Sequence, residues 1–237
     1  MQTASPCVTC PYRDQRFCGA VLRFNDHLNS PQDANWQHFR TVPAGTLIAP
    51  RNQLSEDVFV LCSGWGFQFF QLQNGRRQIL NFILPGNLFS ATLVFKERFH
   101  FSVKALTEVQ ISGLQRAEIQ SRLAANPGVL RALAKSLIDE AAAADEMRVA
   151  LGQRSAEERI AYLFLHLMQR LAARSMFREQ RYPFPLRQQH IADAVGLTPV
   201  HVSRVLSLFR ARGIVELSEG VLRVSNLAEL ERIGSLN

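Results

Sequence analysis

The chain has 237 residues, of which 47% are hydrophobic, and this length and composition favour about two domains with apolar cores. The formal net charge is +7 and only three of the 27 basic residues are lysine, so arginine, which binds phosphates and guanine edges with two parallel hydrogen bonds, dominates. No apolar stretch is long enough to cross a bilayer and the first residues are polar, so we expect no membrane partner, a cytoplasmic location and an anionic partner.

Residues 1–35 form a polar leader that we predict to be irregular. The leader contains Cys7, Cys10 and Cys18, and the only other cysteine of the chain is Cys62. Thiolates at this spacing can converge on one metal centre, and the reducing cytoplasm disfavours structural disulfides. Three alternatives follow: a metal centre on the leader cysteines with Cys62 or His27, a thiol redox switch without metal, or no site, with Cys62 a buried strand residue.

Residues 36–120 contain short runs of alternating hydrophobic residues separated by turn residues. The clearest runs lie at 46–48, 58–61, 67–72 and 79–83, and Asn74-Gly75 is a strong hairpin turn. Many short strands at this spacing predict a cupin-like β-roll, which would be the sensor domain.

Residues 121–152 are predicted to contain a long helix that begins at Pro127. Its heptad positions are apolar except for one glutamate, and they are Leu130, Leu133, Leu137, Glu140, Ala144, Met147 and Leu151. This face either packs on the β-roll or forms the seam of a two-helix dimer. Several acidic side chains crowd the second half of the helix and would face like charges across a symmetric seam.

Residues 153–237 predict a winged helix-turn-helix. After Gly152, which is expected to end the long helix, Ser155 and Glu158 form a capping box for the next helix. Gly196 then lies at a turn between two short helices, and Thr198 caps the second of them. Two short strands, at 214–217 and 221–224, follow as the wing.

The second short helix is predicted to enter the DNA major groove. Its inward face is apolar, and its outward side chains are the candidates for DNA contact. These candidates, together with the helix cap and the last helical arginine, are Thr198, Val200, His201, Ser203, Arg204 and Arg210.

The order of these motifs resembles the CRP/FNR family of regulators. The resemblance is carried by Gly75–Ile79, Leu84–Asn87, Ser155–Ala161 and Leu197–Arg204, which together extend over nearly the whole chain. It implies an α+β protein with an N-terminal β-roll sensor, a central dimerisation helix and a C-terminal winged helix. It also implies a homodimer that binds palindromic double-stranded DNA near promoters and contacts RNA polymerase.

In the recognition helix, the resemblance places Ser203 and Arg204 on two of the three positions with which the family reads bases. Val200 stands where the family has glutamate, so a different preferred half-site is expected. Arg204 is the candidate for a bidentate contact to guanine.

For the signal, the family offers two precedents. The acidic and arginine residues of its cyclic nucleotide pocket are absent here, and Phe89, Phe95, Phe99 and Phe101 make the corresponding region apolar. The leader instead resembles that of oxygen-sensing members, in which three clustered cysteines and a distant fourth hold a [4Fe–4S] cluster. Their fourth cysteine lies near the end of the β-roll, about where this chain has Gln110, so Cys62 departs from the pattern.

The resemblance therefore implies a DNA-binding transcription regulator that senses oxygen or redox state through a [4Fe–4S] cluster and does not bind cyclic nucleotide. The expected cluster ligands are Cys7, Cys10, Cys18 and Cys62. The alternatives are a zinc- or thiol-switched regulator and an effector-independent regulator of the same fold. An enzyme is not expected, because the chain has no P-loop, dinucleotide-binding glycine motif or nucleophile elbow.

Overall fold

A computed structural model describes residues 7, 10, 11, 16–22 and 36–235 of the chain. The chain divides into two compact units, the first from Met1–Phe70 with Asn81–Ala141 and the second from Gln71–Leu80 with Ala142–Asn237. Helices and sheets are both present, as expected for the α+β class. Among the helices that the structure describes, none is both long and apolar enough to cross a membrane.

Seven strands and a short 3-10 helix form the predicted β-roll. The strands are β1 (Gln37–Val42), β2 (Leu47–Ala49), β3 (Asp57–Ser63), β4 (Gly66–Gln71), β5 (Arg77–Ile83), β6 (Ser102–Ala105) and β7 (Val109–Gln115), and the 3-10 helix is Ala91–Val94. They make a three-stranded sheet, β1-β7-β3, and a four-stranded sheet, β2-β6-β4-β5. Hydrophobic residues of β1, β2, β3, β5, β6 and β7 contribute to a common apolar core.

Three helices accompany the β-roll: α1 (Arg16–Leu22), α2 (Arg116–Ala125) and α3 (Pro127–Gln153). The prediction of a wholly irregular leader was wrong, because α1 lies within it. Phe17 and Val21, four residues apart on one face of α1, are each only 1% exposed. Burial of this pair in the core accounts for a helix that is too short to show a clear sequence period.

The long helix begins at Pro127, as predicted, and continues past Gly152 to Gln153. Leu133 is buried in the core of the first unit and Leu137 packs against that core. Leu130, in contrast, is 50% exposed and Ile138 is 66% exposed. The heptad positions therefore include side chains that pack within the protomer and side chains that do not.

The second unit contains the predicted winged helix-turn-helix. Its elements are α4 (Ala156–Ala172), β8 (Arg181–Pro183), α5 (Gln188–Val195), α6 (Pro199–Ala211), β9 (Val215–Ser218), β10 (Val221–Val224) and α7 (Leu227–Gly234). Both hydrogen bonds of the Ser155–Glu158 capping box are present at the start of α4. The three strands form a sheet with the order β8-β10-β9, which adds one unpredicted strand to the wing.

We predict that Gly196→Ala destabilises the helix-turn-helix by about 1 kcal/mol. Gly196 has a φ of 67° and a ψ of 37°, and this left-handed conformation is unfavourable for a residue with a Cβ. Gly152→Ala is the matched control. It lies in α3, where an added Cβ meets open space and alanine is the better helix former, so equal or greater stability is expected. Hydrogen exchange of the α5 and α6 amides measures both effects, and unchanged protection in Gly196→Ala would contradict the prediction.

Candidate DNA-binding surface and thiol site

Local sequence signals set the angle between α5 and α6. The left-handed Gly196 ends α5, and the Thr198 hydroxyl then accepts a hydrogen bond from the His201 backbone N–H at 3.2 Å. Pro199 occupies the first turn of α6, where its missing N–H costs no helical hydrogen bond. Val202 and Phe209 are fully buried, which fixes the opposite face of α6 toward solvent.

The exposed face of α6 has the composition of a base-reading surface. Val200 is 62% exposed, and His201 and Arg204 are exposed beside it, with Ser203 half-buried. Within the part of the chain that the structure describes, the Arg204 guanidinium has no hydrogen-bond or ion-pair partner, which leaves all five donors available. The structure thus brings the predicted base-reading residues together on one surface.

Arg210, at the far end of the same helix, is held differently. Its Nε lies 3.3 Å from a carboxylate oxygen of Glu216 on β9, the first strand of the wing. Because Arg210 remains largely exposed, this weak pair orients the side chain toward the wing without removing its charge from the surface.

Sequence reasoning missed a contact that positions α5. The tip of the β4–β5 hairpin, Gln71–Leu80, belongs to the second unit. Arg77 on this tip donates through Nε at 2.8 Å and through Nη2 at 2.5 Å to one carboxylate oxygen of Asp193 on α5. Gln78 donates to the Ala194 carbonyl at 3.0 Å, near the end of the same helix. No local signal could have found this contact, because Arg77 and Asp193 are 116 residues apart in the sequence.

All four cysteines line one cavity of the first unit. Cys7, Cys10 and Cys18 approach it from the leader, and Cys62 approaches it from β3. The remaining wall is formed mainly by apolar side chains, among them Val21, Leu61 and Leu114. The leader cysteines therefore meet Cys62, which the sequence alone did not establish, and His27 lies outside the described residues.

The pairing of β3 with β7 explains how Cys62 reaches this cavity. The antiparallel register runs from Asp57 opposite Gln115 to Leu61 opposite Ile111, and it then shifts so that Ser63 lies opposite Gln110. Cys62 is the extra residue at this irregularity. It lies beside Gln110, the position at which the resemblance placed a fourth cysteine, so the two positions are close in space although 48 residues apart in sequence.

Two N–H groups point at sulfur atoms of the site. The Gln37 side-chain amide donates to Cys7 Sγ at 3.4 Å and to the Ser112 hydroxyl at 2.8 Å. The Ser112 backbone N–H donates to Cys62, which favours the thiolate of that residue. Donors of this kind stabilise sulfur ligands that carry negative charge.

The surroundings otherwise disfavour charge on the thiols. Burial, followed by the proximity of the other cysteines, raises the pKa of Cys18 to about 12. The same two causes raise the pKa of Cys62 to about 12, against the opposing effect of the Ser112 N–H. A positively charged centre bound by all four sulfurs would reverse this balance, because metal ligation requires the deprotonated thiol.

The size and spacing of the site bear on which centre fits. Among the described residues, no three histidine, cysteine or acidic side chains lie close enough to hold a single metal ion. Four cysteine thiolates are a donor set that both iron–sulfur clusters and structural zinc sites use. The free volume that the described residues leave between the thiols is about 30 Å³.

The interior near the family's nucleotide pocket is filled by aromatic rings. Phe59 stacks with Phe89 at a centroid distance of 6.0 Å and with Phe99 at 5.9 Å. Phe89 and Phe99 are buried, whereas Phe95 is 69% exposed and does not contribute to this stack.

Comparison with known proteins covers both units. Residues 158–233 match the family model of the Crp-like helix-turn-helix domain, and residues 39–126 match that of the cyclic nucleotide-binding domain. The transcriptional activatory protein AadR of Rhodopseudomonas palustris is 30% identical over 213 residues, which cover 90% of this chain and 86% of AadR. The nitrogen fixation regulation protein FixK of Bradyrhizobium diazoefficiens is 27% identical over 97% of this chain and 94% of FixK. The structure of FixK2 from Bradyrhizobium japonicum superposes with a TM-score of 0.77 at 23% identity, over 85% of this chain and 98% of that one.

We predict that Cys18 and Cys62 of the metal-free protein react with iodoacetamide at pH 8 at least about tenfold more slowly than they do in urea. Their raised pKa leaves little thiolate at this pH, and burial restricts access. Mass spectrometry of the alkylated peptides measures each cysteine separately, and the urea-unfolded protein is the reference. Equal rates in the folded and unfolded protein would contradict the prediction.

Proposed function

Because this chain belongs to the CRP/FNR family of transcription regulators, we propose that it is a homodimer that senses oxygen or redox state through a [4Fe–4S] cluster. The family's members are DNA-binding regulators and not enzymes, and α6 supplies the DNA-binding surface. The observation that supports the sensing proposal is the convergence of all four cysteines on one cavity.

The recognition surface of α6 suits the major groove. Arg204, exposed on α6, is proposed to read guanine through O6 and N7, with Ser203 beside it. Val200 replaces a carboxylate with an apolar side chain, which suits the methyl group of thymine better than the amino group of cytosine. Thr198, His201 and Arg210 lie around this surface and are proposed to contact phosphates or flanking bases.

The proposed dimer seam lies on α3. The predicted seam positions are Leu130, Leu133, Leu137, Glu140, Ala144, Met147 and Leu151. Of these, Leu130 is 50% exposed, and helical spacing places it in one stripe about 100° wide with Ile138 and Val149, which are also more than half exposed and are added to the proposed seam. Such a stripe supports a two-fold seam, which would present two α6 helices to a palindrome about one helical turn of DNA apart. Leu133 packs inside its own protomer and is therefore not available to the proposed seam. Contact of the DNA-bound dimer with RNA polymerase is part of the same proposal.

Acidic repulsion across this seam is smaller than the sequence suggested. Asp145 pairs with Arg148, and Asp139 lies 3.4 Å from the Lys135 ammonium. Glu146 accepts a hydrogen bond at 2.8 Å from the Tyr162 hydroxyl on α4. The two aspartates therefore have a cation in their own protomer, which reduces the repulsion that their charges would cause across a seam.

In the proposed sensor, Cys7, Cys10, Cys18 and Cys62 would hold the cluster, and Gln37 and Ser112 would donate to its sulfur ligands. The bound cluster would supply a redox centre that oxygen can degrade. The cavity wall is largely apolar, and three of the four cysteines come from the leader. Binding of a cluster in the cavity would therefore depend on the position of the leader. Cyclic nucleotide is not the proposed signal, because Phe59, Phe89 and Phe99 fill the interior.

Zinc or metal-free thiol oxidation is the second candidate for this site. The four converging thiols also suit a disulfide switch, since oxidation needs no cluster volume. Iron and sulfide content separates the two candidates, because only the cluster contains both.

We predict that Arg204→Ala lowers affinity for the preferred duplex by about 1–3 kcal/mol, because it removes a bidentate base contact. The preferred duplex is first selected from randomised DNA with the wild-type protein. Fluorescence anisotropy at fixed salt then measures the affinity of each variant for this duplex and the number of protomers that bind it. Arg232→Ala on α7 is the control, because the Arg232 guanidinium donates hydrogen bonds to the Glu229 carboxylate at 2.7 and 2.8 Å. The affinity of this variant for the duplex should match that of the wild-type protein. Unchanged affinity and sequence preference in Arg204→Ala would contradict the assignment.

We predict that Cys62→Ser abolishes cluster assembly and that Cys62→Ser/Gln110→Cys restores it. Gln110 lies on the same face of β7 as Ser112 and Leu114, which line the cavity, so a thiol there would point to the same space. Gln110→Cys alone is the control and should assemble a cluster as wild type does. Iron and sulfide per chain after anaerobic reconstitution are the measurements, and a full cluster in Cys62→Ser would exclude Cys62 as a ligand.

A further inference from the structure

A buried arginine connects the leader to the helices that follow the β-roll. Arg122 on α2 is only 5% exposed, although the charge of a guanidinium makes burial costly unless its donors are paired. Nη1 donates to the Val21 carbonyl of α1 at 2.9 Å, and Nε donates to Glu118 at 2.7 Å. The guanidinium carbon also lies 4.2 Å from the centroid of the Trp36 ring, just before β1.

The helix that Arg122 holds cannot persist by its own helical bonds. With seven residues, α1 is far below the length at which an isolated helix is stable in water. It has no basic residue in its last turn, so Arg122 supplies the positive charge that a helix C-terminus favours. The stability of α1 therefore depends on two contacts with the rest of the unit: burial of Phe17 and Val21, and the Arg122 hydrogen bond.

Helix α1 contacts two other parts of the first unit, the thiol cavity and the start of α3. Cys18 and Val21 line the thiol cavity, so α1 forms part of the cavity wall. The apolar cluster that receives Phe17 and Val21 also contains Val129 and Leu133 from the start of α3. Arg122 itself lies four residues before the boundary between α2 and α3 at Asn126.

We propose that Arg122 is a positioning residue that ties α1, and with it Cys18, to the helix pair α2–α3. Because α1 is one wall of the thiol cavity and Arg122 connects α1 to the base of α3, a change in the cavity that moves α1 would also act on the Arg122 contacts. Coupling of this kind is reciprocal: docking of α1 stabilises the Arg122 contacts, and these contacts stabilise the docked α1. This proposal rests on the proposed function for its physiological meaning but not for its test.

The test is amide hydrogen exchange of the metal-free protein. Arg122→Met, which keeps an apolar stem but removes the donors, is expected to speed exchange of the α1 amides by roughly tenfold to a hundredfold. Arg122→Lys, which keeps a cation near the Val21 carbonyl, should recover part of the protection. Arg116→Met is the matched control, because Arg116 is half-buried on the same helix and its side chain donates to the Lys96 carbonyl. Its α1 exchange should match wild type.

A second readout separates positioning from general loss of stability. Alkylation of Cys18 should become faster in Arg122→Met, while hydrogen exchange of the β3 and β7 amides stays at the wild-type rate. The proposal would be overturned if the α1 amides of Arg122→Met exchanged at the wild-type rate. It would also be overturned if α1, β3 and β7 lost protection equally in Arg122→Met and Arg122→Lys did not restore it. Because no iron is used, absence of a cluster in wild-type protein would refute the sensing proposal and leave this result standing.

Discussion

The burial of four thiols in one largely apolar cavity is the constraint on which the account of this regulator depends. Burial and mutual proximity keep Cys18 and Cys62 protonated in the metal-free protein, whereas a bound cationic centre requires thiolates. The cavity is therefore a place where ligand occupancy, protonation and the position of the leader change together. No comparable arrangement is needed to stabilise a β-roll, whose core is already formed by apolar side chains.

The same cavity has a physical route to the rest of its unit. One wall is α1, which is too short to be stable without docking and which shares an apolar cluster with the start of α3. The exposed stripe of α3 is where a second protomer would pack, and dimerisation determines how two recognition helices address a palindrome. In the second unit, the Arg77–Asp193 pair and the left-handed Gly196 hold α5 and α6 in the geometry that DNA binding requires.

The parts of this fold that were predictable from the sequence are those with local signals. Gly196, Thr198 and Pro199 mark the helix-turn-helix within four residues, and Ser155 with Glu158 marks the start of α4. The contact of Cys62 with the leader was not predictable, because it depends on the register of β3 against β7. The Arg122 and Arg77 contacts are likewise long-range. In α3 the heptad pattern did not separate Leu133, which packs inward, from Leu130, which is 50% exposed.

The most direct test of the central claim is the iron and sulfide content of wild-type protein purified without oxygen, together with its visible absorption before and after exposure to air. The account predicts about four iron and four sulfide per chain and a brown colour that bleaches in air. A colourless protein that takes up no iron during anaerobic reconstitution would contradict it.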